Sequence, residues 1–175
     1  MKKIIVTAVL VLVSNVFFAQ SVFDKYEGQD DVASIIVNKK MFQMMGSVKV
    51  DAKDKETQQY LDLMKKLDNL KVFSTSNTKV SSQMKVTADQ YYKTAGLEEL
   101  MRVDNGDKNL KIWVKSGATE NQIKELLVYN AGANKENQTV LMSLTGDFTL
   151  NEIAVLIDKM KIPGGVDLKN AIKGK

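Results

Sequence analysis

The sequence predicts an α+β fold, a two-layer sandwich with a mostly antiparallel sheet of about five to six strands and helices packed on one face. Three observations support it: two long segments with apolar residues at helical spacing, several short segments of alternating apolar and polar residues, and an Asn105-Gly106 pair typical of a β-hairpin turn. The chain has 175 residues, 44% of them apolar, and a single proline, Pro163. This composition suits one domain, which we expect to span residues 20–175.

Residues 1–19 have the pattern of a secretory signal peptide. Lys2 and Lys3 precede an apolar stretch over residues 4–13, and Ala19 marks the expected cleavage point. A membrane anchor would need about 20 apolar residues in a row, and this stretch is shorter. We therefore expect an exported protein, periplasmic or secreted, with no stable membrane span after cleavage.

Cysteine and histidine are both absent from the chain. Their absence excludes disulfides, thiolate chemistry and a lipid-anchor cysteine, so the protein is not expected to be a lipoprotein. It also removes the commonest general base and the commonest metal ligand, which excludes Ser-His, Cys-His and zinc-hydrolase mechanisms. We expect no cofactor, no metal site and no enzymatic activity.

The charge balance does not favour a nucleic-acid partner. Without Lys2 and Lys3, the 25 basic residues of the chain become 23 against 21 acidic residues. Arg102 is the single arginine, whereas readers of phosphate and guanine depend on the planar guanidinium fork.

The first half of the chain predicts two strands and three helices. Residues 32–37, "VASIIV", are apolar and β-branched, which favours a buried strand over the start of a helix, and "NKKMFQMMG" after them is expected to form a short helix. Residues 53–67 and residues 78–95 carry apolar stripes at helical spacing. The segment "LKVFST" between these two helices has the composition of a strand.

The second half predicts mainly strands. "LEELMRV" and "NLKIWVK" flank the Asn105-Gly106 turn and should form a hairpin. Residues 119–130 fit either a strand, by alternation, or a helix, because Thr119 and Gln122 could form a capping box; we favour the strand.

Residues 138–145 alternate as a further strand, after which Gly146 and Asp147 are expected to turn the chain into a helix that ends near Pro163. Thr149 and Glu152 form a capping box for this helix. A phosphate site at this corner would need more glycines or a Lys-Ser/Thr pair, so a structural turn is favoured.

Four apolar residues, Met41, Phe42, Met44 and Met45, form a cluster on the short helix. Met41, Met44 and Met45 are expected to share one face, where thioethers could pack in the core, form an adaptable binding surface or, less favourably, hold Cu(I). We treat these three methionines as a candidate binding site.

Trp113, the single tryptophan, is the other candidate. Strand alternation places it with Lys111 and Lys115 on the polar face of its strand, and exposed tryptophan is enriched at interfaces. The alternatives are that a helix covers this face or that the lysine stems pack across the ring.

Several segments of the sequence together resemble a known family. The signal, "VFDKYEGQDDVASIIVNKKMF", the hairpin "ELMRVDNGDKNLKIWVK" and "LMSLTGDFTLNEI" are similar to an exported family of Bacteroidetes, the domain-of-unknown-function family DUF4252, from about Val22 to Met160. The resemblance implies a part in an envelope response. Many members look like lipoproteins, whereas this chain lacks the cysteine.

We therefore expect a non-enzymatic binding module of the cell envelope, with another envelope protein or a surface polymer as its partner. The alternatives are a carrier that holds a small apolar ligand between helices and sheet, and a hydrolase built on two convergent carboxylates. Adjacent acids occur at Asp30-Asp31 and Glu98-Glu99, but strand neighbours point to opposite faces, so Glu98 and Glu99 should not act together.

Overall fold

The computed structural model describes residues 22–49, 51, 54–104, 106, 109–119, 121–132, 138–160, 166 and 169–170. The expected signal peptide, Asn105 and Pro163 lie outside these residues. In chain order the elements are a 3₁₀ helix (Asp24–Tyr26), β1 (Ala33–Asn38), α1 (Lys39–Gly46), α2 (Lys55–Lys66), β2 (Leu67–Thr75), α3 (Thr78–Thr94), β3 (Glu98–Asp104), β4 (Asn109–Ser116), β5 (Ile123–Ala131), β6 (Thr139–Phe148) and α4 (Leu150–Met160).

The strands form one six-stranded sheet in the order β1-β2-β6-β5-β4-β3. Every neighbouring pair is antiparallel. Strands β3 to β6 follow one another as a meander, and β2 joins the sheet beside β6 while β1 forms the edge. The predicted α+β class and antiparallel sheet are confirmed, as are the hairpin of β3 and β4 and the strand at residues 123–131.

Helices cover both faces of the sheet, so the molecule has three layers rather than the expected two. On β4, Leu110, Ile112 and Val114 join an apolar cluster with residues of α1, α2 and α4. Trp113 points the other way and joins a second cluster with residues of α3 and the 3₁₀ helix. The inner strands are apolar on both faces, and each face therefore needs its own cover.

Side-chain caps determine where three of the helices begin. The carboxamide of Asn38 accepts the backbone N–H of Met41 at 3.0 Å and starts α1 directly after β1. Asp54 accepts the N–H of Thr57 in the same way and starts α2. Asn77 accepts from the first turn of α3. These caps satisfy N–H groups that have no partner within a helix, and the three predicted helices of the first half are confirmed.

The turn expected at Gly146-Asp147 lies further along the chain. Strand β6 continues through both residues to Phe148, and α4 then begins at the predicted capping box. The N–H of Thr149 donates to Glu152 at 2.8 Å, and the N–H of Glu152 donates to the Thr149 hydroxyl at 3.4 Å. Gly146 instead permits a close approach, because a Cβ there would lie 2.5 Å from the Lys66 carbonyl oxygen.

This close approach predicts the effect of Gly146→Ala. The added methyl group would collide with backbone at the junction of α2 and β2, and we expect the free energy of unfolding to fall by at least about 2 kcal/mol in urea denaturation. Gly28→Ala is the matched control, because Gly28 has a φ of 70° but no atom within 4 Å of the added carbon. It should cost about 1 kcal/mol from backbone strain. Equal losses for the two variants would contradict the collision.

Candidate functional site

Trp113 is fully buried, so the expectation of an exposed aromatic anchor is wrong. Its ring stacks on Tyr92 of α3 with 5.1 Å between ring centroids. Lys111 Nζ lies 5.8 Å from the centre of the Trp113 ring. Both alternatives therefore apply: a helix covers this face, and a lysine packs against the ring.

Lys111 and Lys115 are engaged on the same covered face. Lys111 Nζ lies 2.9 Å from Asp89 Oδ1 of α3, and Lys115 Nζ donates to the Ala95 carbonyl at 3.3 Å. These contacts hold the C-terminal half of α3 against β4. The structure thus brings the predicted group together, with Trp113 buried under α3, Lys111 half-buried beside it and Lys115 exposed at the end of the helix.

The methionines of α1 divide between the core and the surface. Phe42 is fully buried and Met45 packs against the core, whereas Met41 is 50% exposed and Met44 is 60% exposed. The three thioethers therefore do not share one surface, which corrects the expected three-methionine face and removes the geometry considered for Cu(I). Met41 and Met44 remain as a pair of large apolar side chains on the outside of one helical turn.

A groove of about 710 Å³ opens beside Met44. Its other lining residues are polar or basic: Lys40, Gln43, Ser47 and Lys65. The groove lies between α1 and α2, which cross closely at Gly46, where a Cβ would lie 2.8 Å from Lys65 Cγ. We call the outer side of Met41, Met44 and this groove the α1 surface.

Strand β1 is an exposed edge and not the buried strand that its composition suggested. Ile35 is 42% exposed and Ile36 is 38% exposed. Ile35 lies opposite Val72 and Ile36 lies opposite Lys71, so the two side chains point to opposite faces of the sheet. Composition could not reveal this position, because it depends on the order of the strands.

Glu125 is a buried carboxylate that the sequence patterns did not single out. Glu125 of β5 is 6% exposed beneath α3, and the Tyr91 hydroxyl donates to its carboxylate at 2.7 Å. Burial raises the pKa of Glu125 above its ordinary value, which the bond from Tyr91 and the charge of Lys115 oppose in part. Burial and the adjacent carboxylate raise the pKa of Tyr91. In the sequence, the i, i+2 spacing places Glu125 on the same strand face as Leu127 and Tyr129, and this spacing is the signal for its burial.

The family model of a domain of unknown function, DUF4252, matches residues 26–156, well over half of the chain. The chain belongs to the DUF4252 family. The match spans all six strands and the α1 surface, and it ends within α4. Comparisons with curated proteins and with solved structures give no significant match.

Two carboxylates, Asp62 and Glu152, line one groove of this DUF4252 chain. Hydrogen bonds lower the pKa of both groups, for Glu152 against the effect of burial, whereas a catalytic acid needs a raised pKa. The groups that shift the pKa of Glu125 are Tyr91 and Lys115, and no second carboxylate is among them.

Glu99 forms an ion pair with Arg102 on β3. Strand β3 and strand β1, which follows Asp30 and Asp31, are at opposite edges of the sheet. Within the described residues, no group of three or more acidic side chains is placed to hold a metal ion. None of the described helices combines the length and the apolar character needed to cross a bilayer.

The raised pKa of Glu125 predicts a pH-dependent stability for this DUF4252 chain. Because the native carboxyl group binds its proton more tightly than the unfolded one, its stabilising contribution is complete below pH 4.5 and is lost as pH rises through the native pKa. Glu125→Gln keeps an acceptor for Tyr91 without the buried charge. We expect it to raise the free energy of unfolding at pH 8 by on the order of 1 kcal/mol, with the gain vanishing near pH 4.

Urea denaturation of both proteins between pH 4 and pH 8 measures this difference. Glu98→Gln, at an exposed position of β3, is the control and should follow the native protein across the range. A gain for Glu125→Gln that does not change with pH would show that the carboxyl group titrates alike in the native and unfolded states.

Proposed function

We propose that this chain is an exported, non-enzymatic binding module of the cell envelope, and that its α1 surface binds another envelope protein carrying apolar and acidic side chains. The observation that carries the proposal is the exposure of Met41 and Met44 beside a basic groove. Single exposed apolar residues are ordinary in folded proteins. Two large ones on the same helical turn, next to a groove, are a feature of interaction sites.

The chemistry of methionine supports a protein partner. Its side chain is unbranched and polarizable, and it adapts to apolar surfaces of different shape. The buried Phe42 anchors α1 to the core, so the helix presents Met41 and Met44 from a fixed position. Rigid presentation lowers the entropy that binding must overcome.

The charges around the α1 surface indicate the chemistry of the partner. Residues 32–49 contain three lysines and no acidic residue. Lys40 and Lys65 line the groove itself, and Lys65 also contacts Asp62 at 2.9 Å in an exposed ion pair that a carboxylate of the partner could replace at little cost. An acidic rim on the partner would match these charges and would accelerate association.

The space between helices and sheet is less suitable for a small apolar ligand. Side chains of the two apolar clusters occupy it on both faces of the sheet. A second groove, of about 690 Å³, opens between the 3₁₀ helix and α3, but lysine, glutamine, serine and threonine side chains form most of its lining. The groove is also open to solvent, which disfavours a small apolar ligand because such ligands are held in sites that bury most of their surface.

Export of the protein rests on the signal-like pattern of residues 1–19 and predicts a processed N-terminus. When the full chain is expressed with a C-terminal tag in a bacterium that exports it, we expect the protein outside the cytoplasm to begin at Gln20. N-terminal peptide mass spectrometry of the fractions measures this. A protein that keeps Met1 and stays with cytoplasmic markers would contradict export but would leave the α1 surface untouched.

The binding proposal predicts the effect of Met41→Gln/Met44→Gln. Glutamine has a similar length and a similar helix propensity, so the fold should persist while apolar contact is lost. In quantitative affinity capture from envelope extract, we expect at least one protein captured by the native chain to decrease by about tenfold or more, as for loss of an interface hot spot.

Val86→Gln is the matched control for this capture. Val86 is 55% exposed on α3 and lines the other groove, so the change has the same chemistry at a different place. Circular dichroism verifies that all three proteins are folded. If native, double-variant and control proteins capture the same proteins in equal amounts, the α1 surface is not the binding site.

A further inference from the structure

The two edges of the sheet differ in how they are protected from pairing with another strand. Unpaired edge strands are templates for association, and charged residues are the usual protection. Strand β3 carries four charged residues, Glu98, Glu99, Arg102 and Asp104. Strand β1, "ASIIVN", carries no charge and no proline. Among the strands that the structure describes, none pairs with the outer side of β1.

The exposed isoleucines of β1 indicate that a strand completes this edge. Ile35 points to the face covered by α1 and α2, and Ile36 points to the face covered by α3. A helix or a flat surface could cover the side chain on one face. An added strand places side chains beside both, and it also satisfies the outward backbone groups of β1.

We propose that the occupant is the β1 strand of a second copy of this chain, paired antiparallel about a two-fold axis at Ile35. The axis is perpendicular to the sheet, and the two six-stranded sheets become one continuous sheet. Ile35 lies opposite its own copy. Ser34 lies opposite the copy's Ile36 on the α3 face, and Ala33 lies opposite the copy's Val37 on the other face. Every pair thus stays on one face, as antiparallel pairing requires.

The charges that flank β1 favour a second copy in this orientation. Asp30 and Asp31 precede the strand, and Lys39 and Lys40 follow it. Pairing about Ile35 brings the acidic end of each strand to the basic end of the other, so that the attraction occurs twice. Parallel pairing would bring like charges together, which is destabilising.

The charged residues at the two ends of β1 are accessible to a second copy. Asp30, Asp31, Lys39 and Lys40 are all exposed, and the Asp31 carboxylate accepts from the Asn77 side chain at 3.1 Å on its own chain. Lys39 contacts Asp68 at 2.7 Å, with the two side chains 63% and 48% exposed. Because this ion pair is open to water, exchanging it for a pair across the interface costs little.

Sedimentation over a concentration series tests self-association with the complete purified protein. We expect the native protein to dimerise and Ile35→Lys to raise the dimer Kd at least about tenfold, because two like charges would meet on the axis. Leu100→Lys is the control, since Leu100 is 46% exposed on the opposite edge strand. A native protein that stays monomeric throughout, or equal weakening by the two changes, overturns the proposal.

Charge reversal tests the orientation. Asp30→Lys should weaken the dimer, and Asp30→Lys/Lys40→Asp should restore most of the affinity, because opposite charges again meet at both ends. Failure of the double change to recover affinity would exclude the antiparallel arrangement.

Single cysteines test the register, because the chain has none of its own. Directly opposite Cα atoms lie roughly 4.5–5.5 Å apart, within disulfide range, whereas diagonal neighbours lie about 7–8 Å apart. Ile35→Cys should therefore form disulfide-linked dimers under a mild oxidant several times faster than Ile36→Cys. Equal rates, or a faster Ile36→Cys, overturn the axis at Ile35. Lys40 also lines the groove of the α1 surface, but the proposal does not depend on Met41 or Met44, and Met41→Gln/Met44→Gln should leave the dimer intact.

Discussion

The burial of both faces of the inner strands determines the rest of this architecture. On β5, Leu126 and Leu127 are adjacent and both fully buried, although successive strand residues point in opposite directions. Each face therefore needs a layer of helices. Three helices cover one face, and α3 with the 3₁₀ helix covers the other. Helices thus cover both sheet faces. The exposed apolar side chains that remain to be explained are those that occur in neighbouring pairs, Ile35 with Ile36 on β1 and Met41 with Met44 on α1.

Ion pairs and hydrogen bonds join α3 and the 3₁₀ helix to the sheet. Beneath α3 and the 3₁₀ helix, apolar side chains are joined by the Lys111–Asp89 and Lys71–Asp24 ion pairs and by the bond from Tyr91 to Glu125. Buried polar groups are costly unless each finds its partner, so they permit few alternative positions of the covering helix. The polar pairs beneath α3 thus specify its position, and that position is what conceals Trp113.

Local sequence patterns predict which segments form helices and strands, but they do not predict which faces and edges of these elements become buried. Helical spacing, the capping box at Thr149 and the alternation over residues 123–131 correctly predicted helices and strands, because these signals depend on neighbours in sequence. Alternation also showed that Lys111, Trp113 and Lys115 share a face. It could not show that α3 covers this face, or that the apolar β1 lies at an edge, because both depend on contacts between distant segments. Exposure of Met41 and Met44 likewise depends on how α1 packs.

The β1 edge and the α1 surface are related through the proposed two-fold axis. Helix α1 follows β1 directly and packs on β1 and β2 from one side of the sheet. An axis perpendicular to the sheet keeps that side in common, so the α1 helices of both copies would lie on the same face of the joined sheet. Two weak surfaces held together bind a repeating or multivalent partner far more tightly than either does, provided that both can be reached at once. A small, exposed methionine surface would then suffice for binding, and self-association at β1 would determine its strength.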